Sequence, residues 1–232
     1  MDSAVAISAM ATNPGDLWDY VCGGTGKGQP LLQKGLPIVT ITTTAGTGSE
    51  INCWGVISNP ETHEKIGFGS PELCPVLAIV DPELMRTVPA QYTAYQGFDA
   101  LFHNTEVMIS NGINILSETI ALSAIEHISQ YLPRAVKNNN DMEAREHIAY
   151  GSTMAGITMQ LTSTTAEHSM ELLKLQEDCG VADLKMSDYG FTPDEAMILA
   201  KGARAMQGGL FLANPCEMSD EDCAAIFKKS YR

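Results

Sequence analysis

Apolar positions recur at intervals of three and four from Leu116 through Ile120, Ala124, Ile125, Ile128 and Leu132. That spacing puts them on one face of an amphipathic helix. A second long helix is expected over Met142–Thr162, where Gly151, Ala155 and Gly156 supply small residues suited to close helix packing. Thr192-Pro193-Asp194-Glu195 and Ser219-Asp220-Glu221-Asp222 read as helix starts, with Pro or acids in the first turn. Upstream the period changes. Pro37–Thr42 is a short β-branched run and predicts a buried strand. Val56–Ser58, the turn Asn59–Thr62 and a strand beginning at His63–Phe68 follow, and Val76–Val80 is another strand, closed by Asp81-Pro82-Glu83-Leu84. Residues 1–12 predict a helix that is broken by Asn13-Pro14-Gly15. Met1 has no cap, strand or turn before it, so the chain is expected to enter its fold midway. The pattern divides near residue 88 into an α/β part and a helical part, with no internal repeat.

Length and composition narrow the function. The 232 residues suit one or two domains and a core that needs no disulfide staples. The net charge of -14 disfavours nucleic acid and anionic membrane surfaces. No apolar run approaches the roughly 20 residues of a membrane helix. Met1–Ala4 lacks a basic n-region, so no signal peptide is expected and a cytoplasmic protein is. The six cysteines, widely spaced and without a Cys-x-x-Cys pair, read as reduced thiols.

Three segments carry candidate chemistry. Gly23–Gly28 contains Gly-Thr-Gly-Lys but fails as a phosphate-binding P-loop: the Gly-x4-Gly-Lys-Ser/Thr spacing is absent, and Gln29-Pro30 stands where a helix should open. Thr43–Glu50, at the end of the first strand, offers small residues for close backbone approach and hydroxyls for phosphate or ribose oxygens. A polar turn after a strand explains it equally well. Asp99 and His103 lie at i and i+4 and share one helix face, where they suit a divalent ion or a local hydrogen bond. A capping Asp beside a stray His is the plainer alternative. His168 is a third candidate, while His63, His127 and His147 read as incidental.

Met1–Ala4, Thr42–Glu50, Asp81–Leu84, Gly97–Glu106, His168–Glu171 and the tail from Ser187 to Arg232 together resemble the iron-dependent, group III alcohol dehydrogenases, within them the butanol-dehydrogenase type. The resemblance implies a dehydroquinate-synthase-like fold. A partial dinucleotide-binding α/β domain would span 1–88 and an all-helical metal-binding domain 89–232, with the active site between them. It implies Fe²⁺ or Zn²⁺ held by one Asp and three His, of which Asp99, His103 and His168 match the first three. It places Thr43, Thr44, Thr47 and Ser49 in the cofactor loop and Lys65 near an NAD or NADP cofactor. Gly46 and Gly48 are expected to let the backbone approach that cofactor. The metal would act as a Lewis acid on an alcohol or aldehyde oxygen while hydride passes to or from the nicotinamide. The implied partners are a small alcohol or aldehyde and further copies of the chain, in a homodimer or higher homo-oligomer.

The chain departs from the family's pattern at both ends of its site. The family's first strands and its Gly-Gly-Gly-Ser turn are expected just upstream of Asp2, and Val5 stands where the family usually has Lys. After Glu171 the family continues with a further His and then a Pro-His-Gly carrying the fourth ligand, whereas here Leu172 leads directly into C-terminal family sequence. A block is therefore missing near 171/172. Intact flanks favour residues left out of a longer enzyme over a true shortening. The competing readings are an inactive, oligomer-forming remnant and a lyase like the dehydroquinate synthases.

Overall fold

The computed structural model describes residues 1–162, 179, 185–211 and 217–231. Helix α1 (Asp2–Met10) comes first. Four strands follow: β1 (Val39–Thr42), β2 (Trp54–Asn59), β3 (Glu64–Gly69) and β4 (Leu77–Val80). The long helices α2 (Ala90–Ile109), α3 (Ile115–Lys137) and α4 (Met142–Thr162) come next. Helices α5 (Ala196–Phe211) and α6 (Asp220–Ser230) end the described chain.

The strands form two pairs. β1 and β4 are parallel, in register from Val39↔Leu77 to Thr42↔Val80. β2 and β3 form an antiparallel hairpin from Trp54↔Gly69 to Asn59↔Glu64, and His63 in its turn has φ 55°. One core unites α1 with the hairpin and the segments around it through Val5, Ala9, Val21, Ile38, Ile66, Phe68 and Leu73. α1 is tied on further by Asp2, whose carboxylate accepts from the Val56 amide at 3.0 Å. A second core lies among α2, α3 and α4 and includes Phe98, Leu101, Ile128, Leu132 and Ile148.

The long helices owe their form to burial of one face and to their ends. Asn114 caps α3, its Oδ1 accepting from the Leu116 and Ser117 amides at 3.1 Å each. Ser219 caps α6 reciprocally with Asp222. Gly151 lets α4 press onto Ile128 of α3, since a Cβ there would lie 2.4 Å from the Ile128 side chain. Arg145 is buried and, among the described residues, pairs with no carboxylate: it donates to Thr93 Oγ1 at 3.0 Å and to the Asn139 and Val88 carbonyls, tying α4 to the start of α2.

Pro133 lies near the end of α3, which runs on to Lys137. One detail differs from the sequence expectation. Leu116, the first position of the apolar stripe, is exposed, whereas Ala124, Ile128 and Leu132 are buried. The glycine-rich loop is, as expected, no phosphate cradle. The Glu64 carboxylate accepts from the Thr25 amide at 2.7 Å, and Lys27 pairs with Asp19 at 2.5 Å. An anion is thus already in place and the lysine is engaged. Cys22, Cys53 and Cys74 carry no disulfide. Among the described residues no helix is long and apolar enough to cross a membrane.

Candidate metal centre

The site starts from the helical period of α2. Asp99 and His103 are one turn apart and face the same side, with His103 Nε2 3.5 Å from Asp99 Oδ1. Glu106, a further three residues along, lies 3.2 Å from the other ring nitrogen, His103 Nδ1. A carboxylate only accepts, so Nδ1 carries the proton and donates it to Glu106. The Nε2 lone pair is thereby turned toward Asp99. An imidazole oriented by a carboxylate on its far nitrogen is the usual support for a metal-binding histidine.

Burial and neighbouring charges shift both groups. Burial raises the Asp99 pKa above the ordinary carboxylate value, opposed by the charges of His103 and Lys65. For His103, burial works against the imidazolium. The Glu106 hydrogen bond and the charges of Asp99 and Glu106 outweigh it, leaving the pKa above its ordinary value. The pocket around the imidazole therefore favours positive charge.

The loop after β1 closes onto this point. The Ala45 amide donates to Gln96 Oε1 at 3.4 Å, and a Cβ on Gly46 would stand 3.0 Å from Asp99 Oδ2. Thr43, Thr44 and Thr47 are exposed, and Ser49 is half-buried. Thr42 Oγ1 donates to the Thr44 carbonyl at 2.8 Å, and the Ser49 amide donates to Thr47 Oγ1 at 3.2 Å. The charge of Lys65, on β3, is the smaller of the two that oppose the rise in the Asp99 pKa. The structure thus brings together Asp99 and His103, with Gly46 of the threonine loop against the Asp99 carboxylate.

Gly48 differs from the expectation placed on it. With φ at +62°, it packs against α4: a Cβ there would lie 2.2 Å from the Ser152 carbonyl oxygen and 2.4 Å from the Gly156 nitrogen. Its lack of a side chain serves helix docking, and Gly46 is the glycine that meets the site. Glu50 strengthens the same docking, buried and accepting from Thr153 Oγ1 at 2.7 Å. His168 and the 171/172 junction lie outside the described residues. Among the described residues no group of three or more His, Cys, Asp or Glu gathers to hold an ion. Glu106 is the residue that the sequence reading left without a role, although its i+3 spacing from His103 was the available signal.

Comparison with known proteins places this geometry in context. Residues 1–82 match the family described as iron-containing alcohol dehydrogenase, and residues 93–175 match the C-terminal part of the Fe-containing alcohol dehydrogenase family. A choline dehydrogenase of Bacillus subtilis is 38% identical over 170 residues, which are 73% of this chain and 42% of that protein. An NAD-dependent methanol dehydrogenase of Bacillus methanolicus is 39% identical over 169 residues, 73% of this chain and 43% of that one. The matched stretch thus spans less than half of these relatives. Among solved structures, an archaeal halo-thermophilic alcohol dehydrogenase from a Red Sea brine pool superposes with a TM-score of 0.89 at 26% identity, covering 99% of this chain and 74% of that one.

Proposed function

The chain belongs to the iron-containing alcohol dehydrogenase family, and from that premise we propose that it forms part of an NAD(P)-dependent, divalent-metal-dependent oxidoreductase of primary alcohols and aldehydes. The observation that carries this reading is the meeting of Asp99 Oδ1 and His103 Nε2, 3.5 Å apart, with Gly46 of the threonine loop against the same carboxylate. An oxygen and a nitrogen donor side by side suit Fe²⁺ and Zn²⁺ alike.

In this proposal Asp99 and His103 hold the ion, joined by His168 and by donors from outside the described residues. Glu106 keeps the His103 proton on Nδ1, so that Nε2 stays a donor of electrons. A bound divalent ion would supply Lewis acidity to the alcohol oxygen, and the nicotinamide would accept the hydride. The hydroxyls of Thr43, Thr44, Thr47 and Ser49 bind the cofactor at the carboxyl end of β1, where ligands of parallel sheets collect. Lys65 offsets the negative charge of the cofactor and of Asp99. The split into parts 1–88 and 89–232 leaves the site at their seam, with Lys65 and the loop on one side and α2 on the other.

The test is nicotinamide reduction by the protein loaded with Fe²⁺ without oxygen, or with Zn²⁺, on short primary alcohols. Metal-dependent NAD⁺ or NADP⁺ reduction that disappears in Asp99→Ala and His103→Ala, together with the metal content of the protein, is the expected result. Normal metal content in either variant contradicts the ligand assignment.

A further inference from the structure

The helical hairpin of α3 and α4 carries a second place where nitrogen lone pairs converge. His127 Nδ1 lies 2.6 Å from His147 Nδ1. The ring planes differ by 19°, with centroids 4.6 Å apart. A nitrogen–nitrogen separation of 2.6 Å is well inside the roughly 3.5 Å at which ring faces touch. The two imidazoles therefore meet edge to edge, each pointing its Nδ1 at the other, with one proton between them. Both rings are fixed from outside. The Tyr131 ring covers His147 at 3.7 Å between centroids, and Tyr150 sets its edge against His127 at 5.0 Å. The Tyr150 hydroxyl is in turn held to Ser123 at 3.1 Å. Arg134, over the Tyr131 ring, is paired with Asp141 and Glu143.

We infer that His127 and His147 form a bidentate site for one divalent d-block cation, of the Zn²⁺, Ni²⁺ or Cu²⁺ class, bridging α3 and α4. At metal–nitrogen distances of about 2.0–2.1 Å, a tetrahedral ion sets its two nitrogens roughly 3.4 Å apart. The pair need open by less than an ångström, within reach of side-chain rotation. The proton now shared between the Nδ1 atoms moves to Nε2 of the donating ring. Both imidazoles remain neutral, no net proton is released, and each Nδ1 lone pair goes to the ion. Water completes the coordination on the solvent side, since both histidines are only partly buried. The preference order among these cations places Cu²⁺ first. The site stands on other helices than α2, so it does not depend on the function proposed for Asp99 and His103.

The experiment titrates Cu²⁺ into the full chain and into His127→Gln and His147→Gln, with bound copper counted and electron paramagnetic resonance recorded at one equivalent. The wild-type chain is expected to bind one equivalent more than either variant, and to retain a copper signal split by two nitrogens when Asp99 is replaced by Asn. Equal stoichiometry in the wild type and both variants overturns the inference. Should the variants fail to fold, diethyl pyrocarbonate modification of the wild-type chain decides. Protection of His127 and His147 by Cu²⁺, mapped by peptide mass spectrometry, supports the site, and unchanged modification of both overturns it.

Discussion

The backbone of Gly46 stands directly against the carboxylate of Asp99: a Cβ at position 46 would lie 3.0 Å from Oδ2 and 3.3 Å from the Gln96 carbonyl oxygen. The loop that ends β1 and the helix that presents the proposed metal ligand are therefore in contact through a residue with no side chain.

Gly46→Val should displace Asp99 rather than unfold the chain. Its shortest conflict is with a half-exposed carboxylate, which has room to turn away, while the Gln96 backbone, 3.3 Å off, has to give only slightly; crowding of this kind costs about 1–3 kcal/mol. The expected outcome is a large loss of bound metal with a modest fall in thermal midpoint. Metal content and calorimetry on one preparation check it. Unchanged metal content would show that the loop does not control the carboxylate.

Gly48→Ala should do the opposite. The new Cβ would meet the Ser152 carbonyl and the Gly156 amide, and helix backbone does not yield as a side-chain tip does. The positive φ adds roughly 1–2 kcal/mol of strain for a residue with a side chain. A loss of several kcal/mol is expected, read as a lower denaturant midpoint with an unchanged slope. A midpoint within error of wild type would mean that the loop docks elsewhere.

These two glycines show where the sequence was legible and where it was not. The helix over Met142–Thr162, the hairpin around Asn59–Thr62 and the caps at Thr192 and Ser219 follow from local period and end chemistry, and the structure has them. The convergence of Asp99 and His103 follows from one helical turn. The separate tasks of Gly46 and Gly48 depend on which helix lies behind each, and that is tertiary information. The histidines of α3 and α4 read as incidental because their partnership joins positions 20 apart in sequence.

Cys53 should stay unreactive in the folded protein. Burial, followed by the neighbouring charge of Cys74, pushes its thiol up to about 11. At pH 8 exposed Cys22 should be alkylated rapidly and Cys53 only after unfolding, as mass mapping of iodoacetamide adducts would show. The pH dependence follows in sign. The folded-state pKa lies above the unfolded one, so between about pH 9 and 11 the unfolded chain releases the proton first and stability falls as pH rises. Cys53→Ala should flatten that part of the stability curve. An identical slope in the two proteins would contradict the perturbed thiol.

Glu106 is the residue whose removal best separates metal holding from metal orienting. It touches His103 at Nδ1, on the side of the ring away from Asp99. Glu106→Ala leaves both proposed ligands in place but frees the imidazole to rotate and to carry its proton on Nε2, which would block that nitrogen. Loss of such a supporting carboxylate typically weakens metal binding by about 10–100-fold. Glu106→Gln keeps an accepting oxygen at the same reach and should recover most of the affinity, though without the negative charge that helps hold a cation. The expected order of zinc affinity is therefore wild type, then Glu106→Gln, then Glu106→Ala, measured by competition with a chelating dye. If Glu106→Ala binds zinc as tightly as the wild type, His103 is oriented by other contacts and the Glu106 hydrogen bond is structural only. If Glu106→Gln falls as far as Glu106→Ala, the negative charge of Glu106, rather than its hold on the ring, is what the site requires.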